Sequence, residues 1–209
     1  MVAAGPQASA LARARATALA ELKAHPQSVS WRRDVAATVL LVLASTAAVM
    51  AAGVWLSIVE LDRLRGHLLT LLLLFALQTG GVFAAIAPGK TTLRRLVALF
   101  AIATAVIVVA LRGPATPPGT SEFACSSSHL AVDLLPLGVV LYSLRRFSAT
   151  VGRALLAGLA ASVTGAIAGE LSCGRGWSHV LIHHVGAAIA IAIACVLLAR
   201  IRPPQSYAP

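Results

Sequence analysis

Six long apolar runs divide the chain, at roughly 35–57, 67–88, 96–112, 128–144, 154–172 and 178–199, with charges, prolines or glycines between them. A helix needs about 20 apolar residues to cross the hydrocarbon core of a bilayer. The pattern therefore predicts an all-α integral membrane protein, a six-transmembrane-helix bundle. The fourth run is the weakest, because Asp133 and Pro136 interrupt it. Pro136 removes a backbone donor in mid-helix and is expected to kink that span. The fifth run carries Gly158, Gly165 and Gly169, a stripe almost without side chains. Gly165 and Gly169 form a GxxxG, which reads first as a surface for close helix packing.

Residues 1–33 differ in kind. Between Ala8 and Leu22 the segment is rich in helix formers, with Leu11, Leu19 and Leu22 toward one side and Arg13, Arg15 and Glu21 elsewhere. His25-Pro26 ends it, since proline stops a helix. It reads either as a helix lying on the membrane surface or as a docking helix for a cytoplasmic partner, with Leu11, Leu19 and Leu22 as its contact residues. The expected organisation is a cytoplasmic segment over 1–33, a membrane domain over 34–201 and a tail over 202–209. No short apolar core of a signal peptide precedes the first span, so the chain is expected to keep its N-terminus.

Composition agrees with the spans: 58% of the 209 residues are hydrophobic and 11% charged, with a mean hydropathy of +0.86. The net charge of +10 comes from basic residues set in twos and threes between spans, with no aromatic-interleaved patch, and direct nucleic-acid binding is not expected. Most of these residues fall in the N-terminal segment (Arg13, Arg15, Lys23, Arg32, Arg33), the second to third loop (Lys90, Arg94, Arg95), the fourth to fifth loop (Arg145, Arg146, Arg153) and the tail (Arg200, Arg202). Positive residues stay on the cytoplasmic side, which puts both termini inside. The loops near 58–66, 113–127 and 173–177 then face outward, carrying Cys125 and Cys173 to the same outer compartment.

Around those cysteines lie the candidate ligands. Cys125, His129 and Asp133 follow one another at i, i+4 and i+8 and share a helix face. Glu170 and Cys173 lie three apart at the outer end of the fifth span, and His179 and His183 four apart at that of the sixth, with His184 next to His183 and pointing elsewhere. Thiolate and imidazole together suit zinc or another borderline-soft divalent metal, so Cys125, His129, Cys173, His179 and His183 are the expected metal ligands. Asp133, Glu170 and His184 are expected to support them, Asp133 by accepting the free ring proton of His129. Ionisable groups inside a span are costly and need partners, so burial by itself does not explain the cluster. A Cys125–Cys173 disulfide would be at home outside the cytoplasm but leaves the histidines unexplained. Metal or redox sensing ranks ahead of it. Cys195, alone in an apolar run, reads as a small packing residue.

Signals for catalysis are weak. The histidine pair lacks the Glu of HExxH, there is no GxSxG, and Gly89-Lys90-Thr91-Thr92 lacks the upstream glycine of a phosphate loop. An enzyme is not expected. The reading from a different class is a metal- or haem-binding membrane protein, or a metal-dependent membrane enzyme, using the histidines around an open coordination position.

The Cys125 region, Leu134-Leu135-Pro136-Leu137 followed by Arg145-Arg146, and above all residues 157–201 (AGLAASVTGAIAGELSCGRGWSHVLIHHVGAAIAIAIACVLLARI) resemble the NrsF-type membrane anti-sigma factors. These are bacterial six-span proteins that hold an extracytoplasmic-function sigma factor at the inner membrane. The likeness covers the C-terminal half well, the approach from His25-Pro26 to Arg33 loosely, and the first three spans in hydropathy alone. It implies an N-terminal segment that engages a sigma factor, and two outward-facing cysteines, here Cys125 and Cys173, that respond to heavy metals or oxidants in a stress response.

Overall fold

The computed structural model describes residues 13–17, 20, 31–59, 61–114, 122–145 and 150–201. The chain divides into two compact units, Met1–Trp31 and Arg32–Pro209. In the first, residues 13–17 are helical; Leu11, Leu19 and Leu22 lie outside the described residues.

The helices that follow are α1 (Trp31–Trp55), α2 (Leu68–Ile86), α3 (Thr91–Ala110), α4 (Glu122–Leu144), α5 (Val151–Ser172) and α6 (Trp177–Ile201). All six are long and apolar enough to cross a membrane, as the hydropathy pattern predicts, and the described residues contain no strand. Helix α4 runs on through Pro136, which is buried inside it. A single 3-10 turn, Leu61–Leu64, precedes α2. Between α2 and α3 the chain reverses through Gly89 at φ +63°, a left-handed conformation that glycine adopts without steric cost. The residues that mimic a phosphate loop are therefore a tight turn and the first turn of α3.

Helix α5 is the central post. About 78% of its apolar window is buried, against 11% for α3, which faces outward along most of its length. Close approach to α5 depends on small residues. A Cβ on Gly158 would come within 2.6 Å of Ala192 Cα and 2.8 Å of Cys195 Cβ on α6, and one on Gly81 of α2 within 2.9 Å of Ala160 Cβ on α5. Cys195 is thus the small packing residue the sequence suggests.

Polar side chains join the helices where no water competes for them. At mid-bundle Gln78 Nε2 donates to Thr46 Oγ1 (2.9 Å) and Thr164 Oγ1 (3.2 Å), and the two hydroxyls lie 2.8 Å apart, tying α1, α2 and α5 together. Thr38 donates to Ser143 Oγ at 2.8 Å, joining α1 to α4. At the C-terminus of α2, two arginines take the carbonyls that no further helical turn can use. Arg94 donates to Ala84 O (3.0 Å) and Ala87 O (2.8 Å), while Arg153 donates to Ala85 O and Ile86 O, both at 2.6 Å. Cations at a helix C-terminus also match the sign of its dipole. Residues that read in the sequence as topology signals therefore also cap a helix.

The glycines give the fold a direct test. Gly158→Ala forces a Cβ against the backbone of α6 and should cost about 1–3 kcal/mol. Gly138→Ala meets nothing within 4 Å and should be neutral or stabilise by up to about 1 kcal/mol through helix propensity. Thermal unfolding of the two variants in detergent micelles checks the contrast.

Candidate metal centre at the cysteine end of the bundle

At one end of the bundle the start of α4, the end of α5 and the start of α6 converge, and with them Cys125, Cys173, His179 and His184. One ligand atom from each of the four lies within 4.8 Å of all the others. The two cysteines are unlinked thiols. Cys125 Sγ sits 3.3 Å from His184 Nε2. His179, His184 and Cys173 are all buried, and Cys125 is half-buried. A hydrogen bond between the two thiols lowers the Cys173 thiol from its ordinary range, and burial opposes the shift. Two sulfurs and two imidazoles match in number and chemistry the four-coordinate sites that zinc prefers.

The structure brings together Cys125, Cys173 and His179 from the expected ligands and adds His184 in place of His183 and His129. The first exchange has a local cause. In a regular α-helix His179 and His183, four apart, share a face and His184 lies 100° further round. Here Val180–Val185 is π-helical, with hydrogen bonds from i to i+5. That widened turn swings His184 toward the His179 side of the helix, with ring centroids 5.6 Å apart. His183 stays beside the His179 ring at 4.7 Å, but its Nδ1 pairs with Ser126 Oγ at 2.7 Å. Single-turn π segments recur at functional sites, and no residue pattern over Val180–Val185 announces this one.

His129 lies one turn deeper. Its Nε2 is 3.2 Å from Asp133 Oδ2 and 3.2 Å from Ser162 O, and its Nδ1 is 3.4 Å from His184 Nδ1. The other carboxylate oxygen, Asp133 Oδ1, accepts from Gly165 N at 2.7 Å. Asp133 thus stands below His129 as the i+4 spacing suggests, and His129 reaches the cluster through His184. The glycines of α5 make room for both rings. A Cβ on Gly165 would overlap the His129 ring, and one on Gly169 would overlap His184. The GxxxG is therefore a pair of sockets for imidazoles, where the sequence pattern pointed to contact between helix backbones.

Glu170 belongs to a different network. It is one residue past Gly169, about 100° round the helix, and so faces α2 and α3. Its Oε1 accepts from Arg112 at 2.6 Å, and its Oε2 pairs with His67 Nδ1 at 2.8 Å and accepts from Thr70 Oγ1 at 3.3 Å. Arg112 also donates to the carbonyl of Cys173 at 2.8 Å. The pair therefore holds the α5–α6 loop, and Cys173 with it, against the end of α3. His67 and Arg112 are the supporting residues that sequence spacing missed. The available signal was an acid and a base at the ends of spans that the charge pattern directs to the same side.

Arg112 and Glu170 are both largely buried, with side-chain exposures of 8% and 3%. Removing one partner of a buried pair leaves the other charge uncompensated and costs about 3–5 kcal/mol, whereas replacing both with apolar residues of similar volume is far milder. Arg112→Met should therefore destabilise the bundle more than the double change Arg112→Met with Glu170→Met. Denaturation midpoints in micelles measure the difference.

No family model matches the chain, and no solved structure matches it. The chain is 35% identical over 207 residues to the carotenogenesis protein CarR of Myxococcus xanthus, an alignment that spans 96% of this chain and 91% of that protein. The match extends through all six spans and the N-terminal segment, well beyond the C-terminal half on which the NrsF-type likeness rests. This chain belongs to the family of the carotenogenesis protein CarR.

Proposed function

We propose that this multi-pass membrane protein is a sensor of the anti-sigma type. Its N-terminal segment holds an extracytoplasmic-function sigma factor, which is released when a soft divalent metal ion, zinc-like in its preferences, or an oxidant acts on Cys125 and Cys173. The observation that carries the reading is the convergence of two thiols and two imidazoles within 4.8 Å at one end of the bundle. The NrsF-type resemblance of residues 157–201 supports the sigma factor as partner. CarR-family membership over nearly the whole chain supports one role shared by the N-terminal segment and the membrane domain.

Cys125, Cys173, His179 and His184 are the metal ligands in this reading. His129 and Asp133 stand behind them, and His183 and Glu170 lie outside the ring. The excess of basic residues at the opposite end of the bundle supports an orientation with the cluster outside and both termini in the cytoplasm of a bacterium, the protein sitting in its inner membrane. Leu11, Leu19 and Leu22 then lie on the cytoplasmic side, where a sigma factor is accessible.

The four ligands come from α4, α6 and the loop between α5 and α6. A cation that binds all four favours the arrangement in which those ends are drawn together. An oxidant reaches the same end state by a different reaction: the two thiols lose two electrons and two protons to it and become a disulfide joining α4 to the α5–α6 loop. Either event acts as a switch to the extent that it stabilises one helix arrangement over the other.

Cys125→Ser and Cys173→Ser should each abolish the transcriptional response to the metal or oxidant while the protein still accumulates in the membrane. A normal response in both variants overturns the sensor. Deleting residues 1–30 should switch the target genes on constitutively, and silent genes would remove the N-terminal docking role. Metal analysis of the purified protein beside a thiol count should give close to one metal per chain with no disulfide, or no metal with two reactive thiols at the site. One disulfide at rest, resistant to mild reductant, would make the pair a structural staple.

A further inference from the structure

We propose that His129 is the positioning residue of the thiol and imidazole cluster: it holds His184 in the neutral tautomer whose Nε2 lone pair faces Cys125, ready to ligate a divalent cation such as zinc. The inference rests on the metal reading above and adds a residue that is not itself a ligand.

The hydrogen-bonding capacities along the chain of contacts assign the tautomers in sequence. His129 Nε2 stands 3.2 Å from the carbonyl oxygen of Ser162 and 3.2 Å from Asp133 Oδ2. A carbonyl oxygen only accepts, so Nε2 carries the ring proton. A neutral imidazole protonated there has its lone pair on Nδ1, and His129 Nδ1 lies 3.4 Å from His184 Nδ1. His184 must then carry its own proton on Nδ1, which leaves its Nε2 as a lone pair 3.3 Å from Cys125 Sγ. That is the form in which a histidine ligates a metal, with its other nitrogen donating to an outer acceptor. The opposite tautomer would aim an N–H at the thiols.

The surroundings hold this arrangement in place. His129 is 2% exposed and His184 7%, and Gly165 and Gly169 seat both rings against α5, so water does not substitute for His129 as the acceptor. Asp133, fully buried, is itself pinned by the Gly165 N–H at 2.7 Å. Its second oxygen is thereby kept at His129. The chain of contacts from Cys125 through His184 and His129 to Asp133 runs from the end of the bundle to the middle of α4, where Asp133 meets the backbone of α5 at Gly165. His129, Asp133 and the Ser162 carbonyl make His184 a prepared ligand.

The test uses the full-length protein in micelles with ¹⁵N-labelled histidine, and Co²⁺ as the probe metal, whose sulfur-to-cobalt charge-transfer band reports thiolate ligation. In the metal-free protein His129 should give the Nε2–H signature and His184 the Nδ1–H signature. His129→Leu should weaken Co²⁺ binding by about 10–100-fold, the usual cost of losing an outer-sphere partner. His129→Asn, whose Oδ1 stands where Nδ1 stood, should recover most of that affinity. An Nε2–H tautomer at His184, a doubly protonated His129, or His129→Leu binding Co²⁺ as the wild type does would each overturn the proposal. If His129→Leu does not fold, the wild-type tautomers and the affinity of His129→Asn decide it. Wild-type protein with no charge-transfer band would overturn the metal reading of the cluster, while the nitrogen signatures would still decide whether His129 sets the tautomer of His184.

Discussion

The bundle depends on how closely other elements approach the face of α5 that carries no side chains. Where Gly158 stands, α6 comes to within contact of the α5 backbone. Where Gly165 and Gly169 stand, the rings of His129 and His184 take the space that side chains would fill. In hydrocarbon there is little hydrophobic drive between helices, so close packing and interhelical hydrogen bonds must hold them. Removing side chains from one helix provides for both at once.

Polar groups inside the spans follow from the same constraint. With no water to receive them, each must find its partner within the protein. Partners drawn from different helices then serve as joints. Gln78 with Thr46 and Thr164 is one such joint at mid-bundle, Glu170 with Arg112 and His67 another near the cysteine end, and Asp133 with His129 and Gly165 a third. At the opposite end Arg94 and Arg153 close the carbonyls of α2. Helix α5 takes part in all four, the last through Arg153. A displacement at Cys173 or His184 therefore bears on the same helix that carries Arg153 at the far end, and this offers a physical path for coupling without requiring that a signal use it.

Much of this was legible in the residues. Six runs of sufficient length and hydropathy became six helices, with ends displaced by a few residues: the first starts at Trp31 where the apolar pattern begins near 35, and the fourth at Glu122 where it begins near 128. Those shifts share a cause, because polar residues at a span end extend the helix without extending the apolar run. Cys125, Cys173 and His179 were recognisable as partners because the charge pattern sends all three to one side. Glu170 was read with the cysteines because it lies three residues from Cys173, yet its partners His67 and Arg112 are distant in sequence and on other helices. Hydropathy gives no information on which helices are neighbours.

What the sequence determined by itself was the class of structure and the chemistry available to it. The length of apolar segments against the thickness of a bilayer, the asymmetry of Arg and Lys, and the presence of thiols and imidazoles beside span ends are all properties of composition and spacing. Which imidazole joins the thiols was decided only by the tertiary structure. A π-helical turn in α6 brings His184 toward His179 as well, so that His184 and not His183 joins the thiols, and only in the packed bundle do Gly165 and Gly169 become sockets for His129 and His184. The reason is that a backbone turn wider than 3.6 residues gains its stability from contacts across helices, and those contacts exist only once the helices have assembled.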